Sequence, residues 1–369
     1  MYAQSKPRKD IDKDISPSSN FIEDVWIALP KQIFILKKIV IATLVTCTRL
    51  VKLNLQYDHF SYIFIDEASQ GTELESLIPF TIASSQSKVT EGTLHAQVII
   101  AGDHQQLGPV VRCKKIQHLL GRSLMERLME CEPYQKVKNK YNSRYITKLV
   151  RNYRSQEPIL RIPNELFYDN ELLCCAKSGT QLSLKLSILP NKTFPVTFFA
   201  ILGKEIRCPS GSVYNTEEIT AVMYCTKKLM SGKLGTRQIQ EQDIGIITPF
   251  KRQKIMIDKV LNKLGLHNIT VGTVETFQGQ EKEIIILTTV RTKYFQHDDA
   301  EHIGFLSNRK RFNVAVTRAK NALIVIGHPP VLRKDKCWNA LWEFCNKNNA
   351  CMDINIAQRN ANSITRKSM

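Results

Sequence analysis

The chain has 369 residues, 43% of them hydrophobic and 23% charged, which is enough apolar material to fill a core in each of two domains of ordinary size. No window reaches about 18 uninterrupted apolar residues, which excludes a membrane-spanning helix, and the opening MYAQSKPRKDIDKD has charges but no apolar core behind them, unlike a secretory signal. The net charge of +18, from 52 Lys+Arg against 34 Asp+Glu, points to a polyanionic partner such as RNA or DNA, or to no more than general solubility.

The 10 cysteines are scattered, without a CxxC pair; the nearest two are the adjacent Cys174 and Cys175. That spacing argues against a zinc module and against a secreted disulfide framework, and suits a reducing intracellular compartment.

Taken in chain order, the first strand-like runs are KKIVIAT at 37–43, YIFIDE at 62–67 and AQVIIAGD at 96–103. SLMERLME at 123–130 reads as a helix. VTFFAI at 196–201 is again a strand, and a helix begins at Asn215, where Asn215 and Glu218 suggest a capping box. DIGIITPF at 243–250, EIIILTTVR at 283–291 and ALIVIGHP at 322–329 complete the set. Near-continuous Ile/Val runs predict strands buried on both faces, as in parallel sheets, and their alternation with helices predicts an α/β fold. Three strands precede about residue 110 and four follow about residue 195. The expected domains are therefore 1–145, a first α/β domain that is incomplete, and 146–345, a complete second one. Residues 346–369 form an expected loosely ordered tail. Residues 84–93 and 175–187 read as surface insertions.

The chemistry concentrates at strand ends. YIFIDEASQ places Asp66 and Glu67 at the carboxyl end of a buried strand, the edge where ligands bind in open α/β sheets. In nucleoside triphosphatases such a pair serves Mg²⁺ and water, with the Asp at the metal and the Glu orienting the nucleophile; an ordinary acidic turn would look the same. The next strand, AQVIIAGDHQQLGPVV, ends at Gly102, Asp103, Gln106 and Pro109. A glutamine amide there can accept from water and donate to a phosphate oxygen.

DEAS, GDHQQLGP, KLVRNYRS, VETFQGQE and RFNVAVTRAK follow one another in the order of helicase motifs II to VI. The chain resembles the Up-frameshift-like branch of superfamily 1. Within it, KLVRNYRSQEPIL, LFYDNEL and GFLSNRKRFNVAVTRAKNALIVIGHP resemble the Armitage-like RNA-silencing helicases of the Moloney-leukaemia-virus-ten type, over roughly residues 36–345.

The resemblance implies two RecA-like parallel-sheet domains of the P-loop NTPase superfamily. It implies ATP and Mg²⁺ as cofactors, with Asp66 on the metal and Glu67 and Gln106 catalytic. Arg154 and Arg318 match arginine fingers that neutralise the transferring phosphoryl group across an interdomain cleft. Gly279 would let the nucleotide approach, and Glu281 would touch the ribose or organise the arginines. Tyr153 would pack beside the base, or in the core. Thr248, Pro249, Thr273 and Thr276 would follow the RNA backbone without reading sequence. Implied partners are single-stranded RNA and Argonaute/Piwi-type ribonucleoproteins, in the cytoplasm or its ribonucleoprotein granules, with 5′-to-3′ translocation as the activity.

One part of this engine is absent from the sequence. A G-x-x-x-x-G-K-[ST] loop, whose amides and lysine cradle phosphates, does not occur ahead of Asp66; Gly203-Lys204 and Gly232-Lys233 lack the upstream glycine and the hydroxyl residue. IVIATLVTCTRL resembles the helicase Ic region, with Leu44 and Val45 interrupting its pattern. Because the later motifs keep their chemistry, the expectation is a chain cut from a longer helicase. The alternatives are a non-catalytic RNA- or ribonucleoprotein-binding pseudo-helicase and a DNA helicase of the same superfamily.

Overall fold

The computed structural model describes residues 1, 13–22, 25–56, 58–83, 94–138, 140–176, 186–293, 295–297 and 300–353. The chain separates into two compact units, Met1–Thr147 and Lys148–Met369.

In the first unit, β1 (Tyr62–Ile65) and β2 (Gln97–Ile100) form a parallel pair in the register Tyr62↔Gln97 to Ile65↔Ile100. Helix α1 (Glu73–Leu77) starts at Thr72, whose hydroxyl accepts from the Glu75 amide while the Glu75 carboxylate accepts from the Thr72 amide, a complete capping box. Helix α2 (Leu124–Leu128) is capped by Ser123, which accepts from the Glu126 amide at 3.1 Å. Arg127 of α2 donates from Nε to both Glu73 oxygens at 2.9 and 2.8 Å, tying the two helices together.

Two expectations fail here. Residues 37–43 form no strand, and Ile39 and Ile41 stand 80% and 79% exposed; a strand exists only with a hydrogen-bonded neighbour, and none of the described residues provides one. Nor is β1 buried on both faces. Ile65 is buried, but Tyr62 and Phe64, two residues apart on the opposite face, are 57% and 73% exposed, with rings stacked at 6.1 Å. The apolar run was visible; the layer that would cover it was not.

The second unit is built on six parallel strands: β3 (Val196–Ala200), β4 (Ile244–Ile247), β5 (Thr270–Gly272), β6 (Lys282–Thr288), β7 (Ala319–Gly327) and β8 (Cys351–Asp353), in the order β5-β4-β6-β7-β3-β8. Ile284, Ile285, Ile286, Leu323, Ile324 and Val325 are fully or almost fully buried, as the near-continuous apolar runs predicted. One face packs on helices α4 (Thr216–Met230) and α5 (Lys251–Lys263) through Ile219, Val222, Leu229, Ile257 and Leu261. Helices α3 (Glu157–Phe167), α6 (Arg309–Val316) and α7 (Lys336–Lys347) pack on one another and on β3 and β7. Phe312 and Trp338 meet edge to face at 5.0 Å in that second layer.

Short strands escaped sequence reading. β5 has three residues, one of them glycine, and β8 lies in the stretch expected to be a loose tail, yet Cys351–Asp353 hydrogen-bonds along β3. Residues 354–369, 84–93 and most of the 175–187 insertion lie outside the described residues. The Asn215 cap is present, its side chain accepting from the Glu218 amide at 3.0 Å, but the return half is missing. The Asn215 amide donates instead to Gln253 Oε1 at 2.9 Å, and the Glu218 carboxylate turns inward.

Candidate nucleotide and nucleic-acid sites

In the first unit the ladder runs one step past the strands. Ala101 N–H donates to Ile65 O and Ala68 N–H to Ala101 O, each at 2.8 Å, which fixes the turn after β1 against the turn after β2. A Cβ on Gly102 would lie 3.0 Å from the Ala68 nitrogen and 3.1 Å from the Ser69 nitrogen, so only glycine lets the turns close. Asp66 and Glu67 follow at the carboxyl edge, both exposed. Glu67 holds a left-handed φ of 51°, a conformation non-glycine residues seldom adopt and one that collects at functional turns. Asp66 Oδ1 accepts from the Glu67 amide at 2.9 Å, and Glu67 Oε2 accepts from Gln70 Nε2 at 2.9 Å. Asp103 accepts from the Gln105 amide at 2.9 Å and from Gln106 Nε2 at 3.0 Å.

These groups offer carboxylate oxygens alone, a donor set for a hard cation. Among the described residues no three His, Cys, Asp or Glu side chains group into a metal cage. A cation at Asp66 would complete its shell with water and phosphate oxygen, which is how Mg²⁺ binds.

In the second unit, Asn152 builds a turn by accepting from the amides of Arg154 at 3.0 Å and Ser155 at 2.9 Å. Ser155, fully buried, hooks that turn to Ala319 O with its hydroxyl at 2.7 Å. Tyr153 is left 68% exposed, so core packing is not its role. Arg154 donates from Nε to Glu281 Oε2 at 2.6 Å, and Lys320 takes the other oxygen, Oε1, at 2.6 Å. Arg151, the neighbouring arginine, instead sits in a two-residue strand pairing with Leu173 and Cys174. The ammonium of Lys320, followed by the Arg154 guanidinium, holds the Glu281 carboxyl below the usual range. Gly279 has φ of 74° with open space where a Cβ would stand.

Arg318 differs from Arg154. It is 2% exposed, with Nε donating to Val314 O at 3.2 Å and Nη1 to Gln280 O at 3.4 Å. Of the two expected fingers, Arg154 is half-buried on Glu281 and Arg318 is almost fully buried in the same unit. Arg154, Arg318, Gly279 and Glu281 lie together at the amino edge of β6 and β7. Lys320 belongs with them. It stands inside the quoted VTRAK motif, and a second cation two residues after Arg318 was the available signal.

At the opposite edge, Thr248 follows β4 and is fully buried; its amide donates to Gly272 O at 3.0 Å and its hydroxyl accepts from the Phe250 amide at 3.4 Å. It shapes the loop that carries Pro249. Thr273 and Thr276 follow β5, hydroxyls 3.3 Å apart, with Thr276 exposed. Phe277 is fully buried over Gly245 and Gly272, where an added Cβ would meet its ring at 2.7 and 3.1 Å. One loop, residues 273–281, thus starts at the carboxyl edge of β5 with the threonines and ends at the amino edge of β6 with Glu281.

A parallel α/β unit carrying these motifs is a RecA-like nucleoside-triphosphatase fold of the P-loop superfamily, as the sequence predicted. A family model described as an AAA domain matches residues 120–330, and a second, also described as an AAA domain, matches residues 3–114. The chain belongs to this AAA-domain family. It is similar to the putative helicase mov-10-B.1 of Danio rerio, 43% identical over 361 residues, covering 94% of this chain and 35% of that protein. It is similar to the RNA helicase Mov10l1 of Homo sapiens, 39% identical over 345 residues, covering 90% of this chain and 27% of that one. The probable RNA helicase armi of Drosophila melanogaster is 33% identical over 342 residues, covering 87% of this chain and 28% of that protein. These relatives bear out the resemblance to superfamily 1 RNA helicases read from motifs II to VI. The chain spans between about a quarter and a third of the length of these curated relatives.

Proposed function

We propose that this chain is part of the motor of an ATP-dependent RNA helicase that moves 5′ to 3′ on single-stranded RNA in RNA-mediated silencing. The observation that carries the reading is the Arg154–Glu281–Lys320 cluster, whose carboxylate sits at the end of the loop that also bears Thr273 and Thr276. A guanidinium parked on a carboxylate can exchange it for a more highly charged phosphate, and the loop that holds the carboxylate reaches the opposite edge of the sheet. Asp66 would hold Mg²⁺, which would neutralise phosphate charge. Glu67 would orient the attacking water, and Gln106 would sense its position. Arg154 and Arg318 would neutralise the phosphoryl group, Tyr153 would lie beside the base, Gly279 would leave room for the nucleotide and Glu281 would hold the ribose or the arginines. The names of the relatives support RNA as the track, and Argonaute/Piwi-type ribonucleoproteins as partners follow from the silencing role.

The chain contains no G-x-x-x-x-G-K-[ST]. As given it is expected to show no RNA-stimulated ATP hydrolysis; turnover lost in Glu67→Gln would contradict that. With a phosphate-loop segment joined upstream, hydrolysis should appear, and Arg154→Ala should lower kcat by about 10³ or more. Hydrolysis indifferent to Arg154 and Arg318 would sink the motor reading. A second reading, a non-catalytic RNA-binding protein, predicts RNA binding but no rescue.

A further inference from the structure

We propose that Phe305, with Arg311 stacked on it, is a base-stacking platform for single-stranded RNA, resting on the RNA-binding reading above and adding a contact that none of the expected site residues supplies. Phe305 lies in the short turn Gly304–Ser307 just before α6, which Gly304 enters with φ of 64°. Its neighbours Ile303 and Leu306 are 2% and 6% exposed, and Trp338 Nε1 donates to Leu306 O at 2.9 Å, so the turn is pinned to the core. Phe305 nonetheless stands 54% exposed. The turn holds an aromatic ring outward rather than failing to bury it.

The Arg311 guanidinium lies 4.8 Å from the ring centroid and donates from Nε to Glu275 Oε1 at 2.8 Å. That chain of contacts fixes the ring against the loop bearing Thr273 and Thr276. Phe305 and Arg311 line one shallow surface depression with Pro249 and Val274. Helix α5 opens two residues after Pro249 with Lys251 and Arg252, followed by Lys254, which pairs with Asp258 at 2.6 Å, and has no acidic residue in its first turn. Flat apolar surface, hydroxyls and cations therefore adjoin. A single-stranded nucleic acid uses that combination, its bases on aromatic faces and its backbone on hydroxyls and charge. An apolar protein segment would have no use for the cations, and the basic balance of the chain favours a polyanion.

The test uses the full chain and a fluorescein-labelled single-stranded RNA, read by anisotropy across a salt series. Phe305→Ala should weaken binding roughly five- to a hundredfold, as expected for loss of one stacked base. Its salt slope should match that of the unmodified chain, because the ring carries no charge. Phe305→Trp should keep the affinity. With an abasic oligomer of the same length, Phe305→Ala and the unmodified chain should bind alike. Equal RNA affinity in Phe305→Ala overturns the platform and leaves the RNA-binding reading standing, as does an equal loss on the abasic oligomer. If the unmodified chain does not bind RNA at all, both fall.

Discussion

Glu281 and its two cations show how side chains next to one another in space acquire roles that no single motif states. Lys320 and Arg154 each take one carboxylate oxygen at 2.6 Å, and together they depress the Glu281 titration. A group depressed in the folded state adds stability above its unfolded value and loses that contribution as pH falls through the folded one. Replacing Lys320 removes the first cause. In Lys320→Met the Glu281 carboxyl should titrate closer to the ordinary glutamate range, followed by carboxyl carbon NMR; an unmoved titration would mean that Lys320 is a bystander. Sequence reading found Arg154, because only that arginine follows Asn-Tyr, and it found Glu281. It passed over Lys320, since a lysine at a strand start is unremarkable until the strand beside it proves to begin just after Glu281.

The junction of β6, α4 and α5 buries a carboxyl group. Glu218 is 1% exposed; its Oε2 accepts from the Thr288 hydroxyl and from the Val290 amide at 2.9 Å, while Oε1 has no hydrogen-bond partner among the described residues. Burial pushes its carboxyl up to about 7 from an ordinary 4.5. Val290, a β-branched residue, is held at φ of 69°, and Asn215 Nδ2 donates to its carbonyl at 3.4 Å. Between about 4.5 and about 7 the folded chain keeps a proton that the unfolded chain releases, so stability falls as pH rises through that window, by on the order of 3 kcal/mol. Glu218→Gln keeps the accepting oxygen and cannot ionise. Denaturant midpoints of that variant should lose the decline between pH 5 and pH 7 and match the unmodified chain near pH 5; a decline that survives would place the titration elsewhere. The Asn-x-x-Glu spacing announced a helix start correctly, but read Glu218 as part of a surface cap. Its true direction is set by Thr288 and Val290, some 70 residues away in sequence.

For the molecule as a whole, the +18 balance predicts RNA binding dominated by phosphate contacts. Affinity for single-stranded RNA should fall at least tenfold between about 50 and 200 mM salt, and affinity indifferent to salt would remove the electrostatic case for a nucleic-acid track. The apolar runs and strand-end motifs determined the α/β class, six of the strands β1 to β8 and the order of motifs, because buried β-branched runs and Asp-Glu or Gly-Asp turns are local patterns. What lay beyond local pattern was decided by tertiary structure. Residues 37–43 have strand composition but no strand paired with them among the described residues, whereas Cys351–Asp353 has little strand signal and gains a place beside β3. Tyr153 is turned to solvent and Arg318 inward, though both stand in recognisable motifs. Phe305 and Pro249, 56 residues apart, share one surface only because the carboxyl edges of β4 and β6 adjoin. Composition and spacing specify which elements form; hydrogen-bond pairing and packing between distant segments specify which side chains face solvent, and the chemistry follows from the latter.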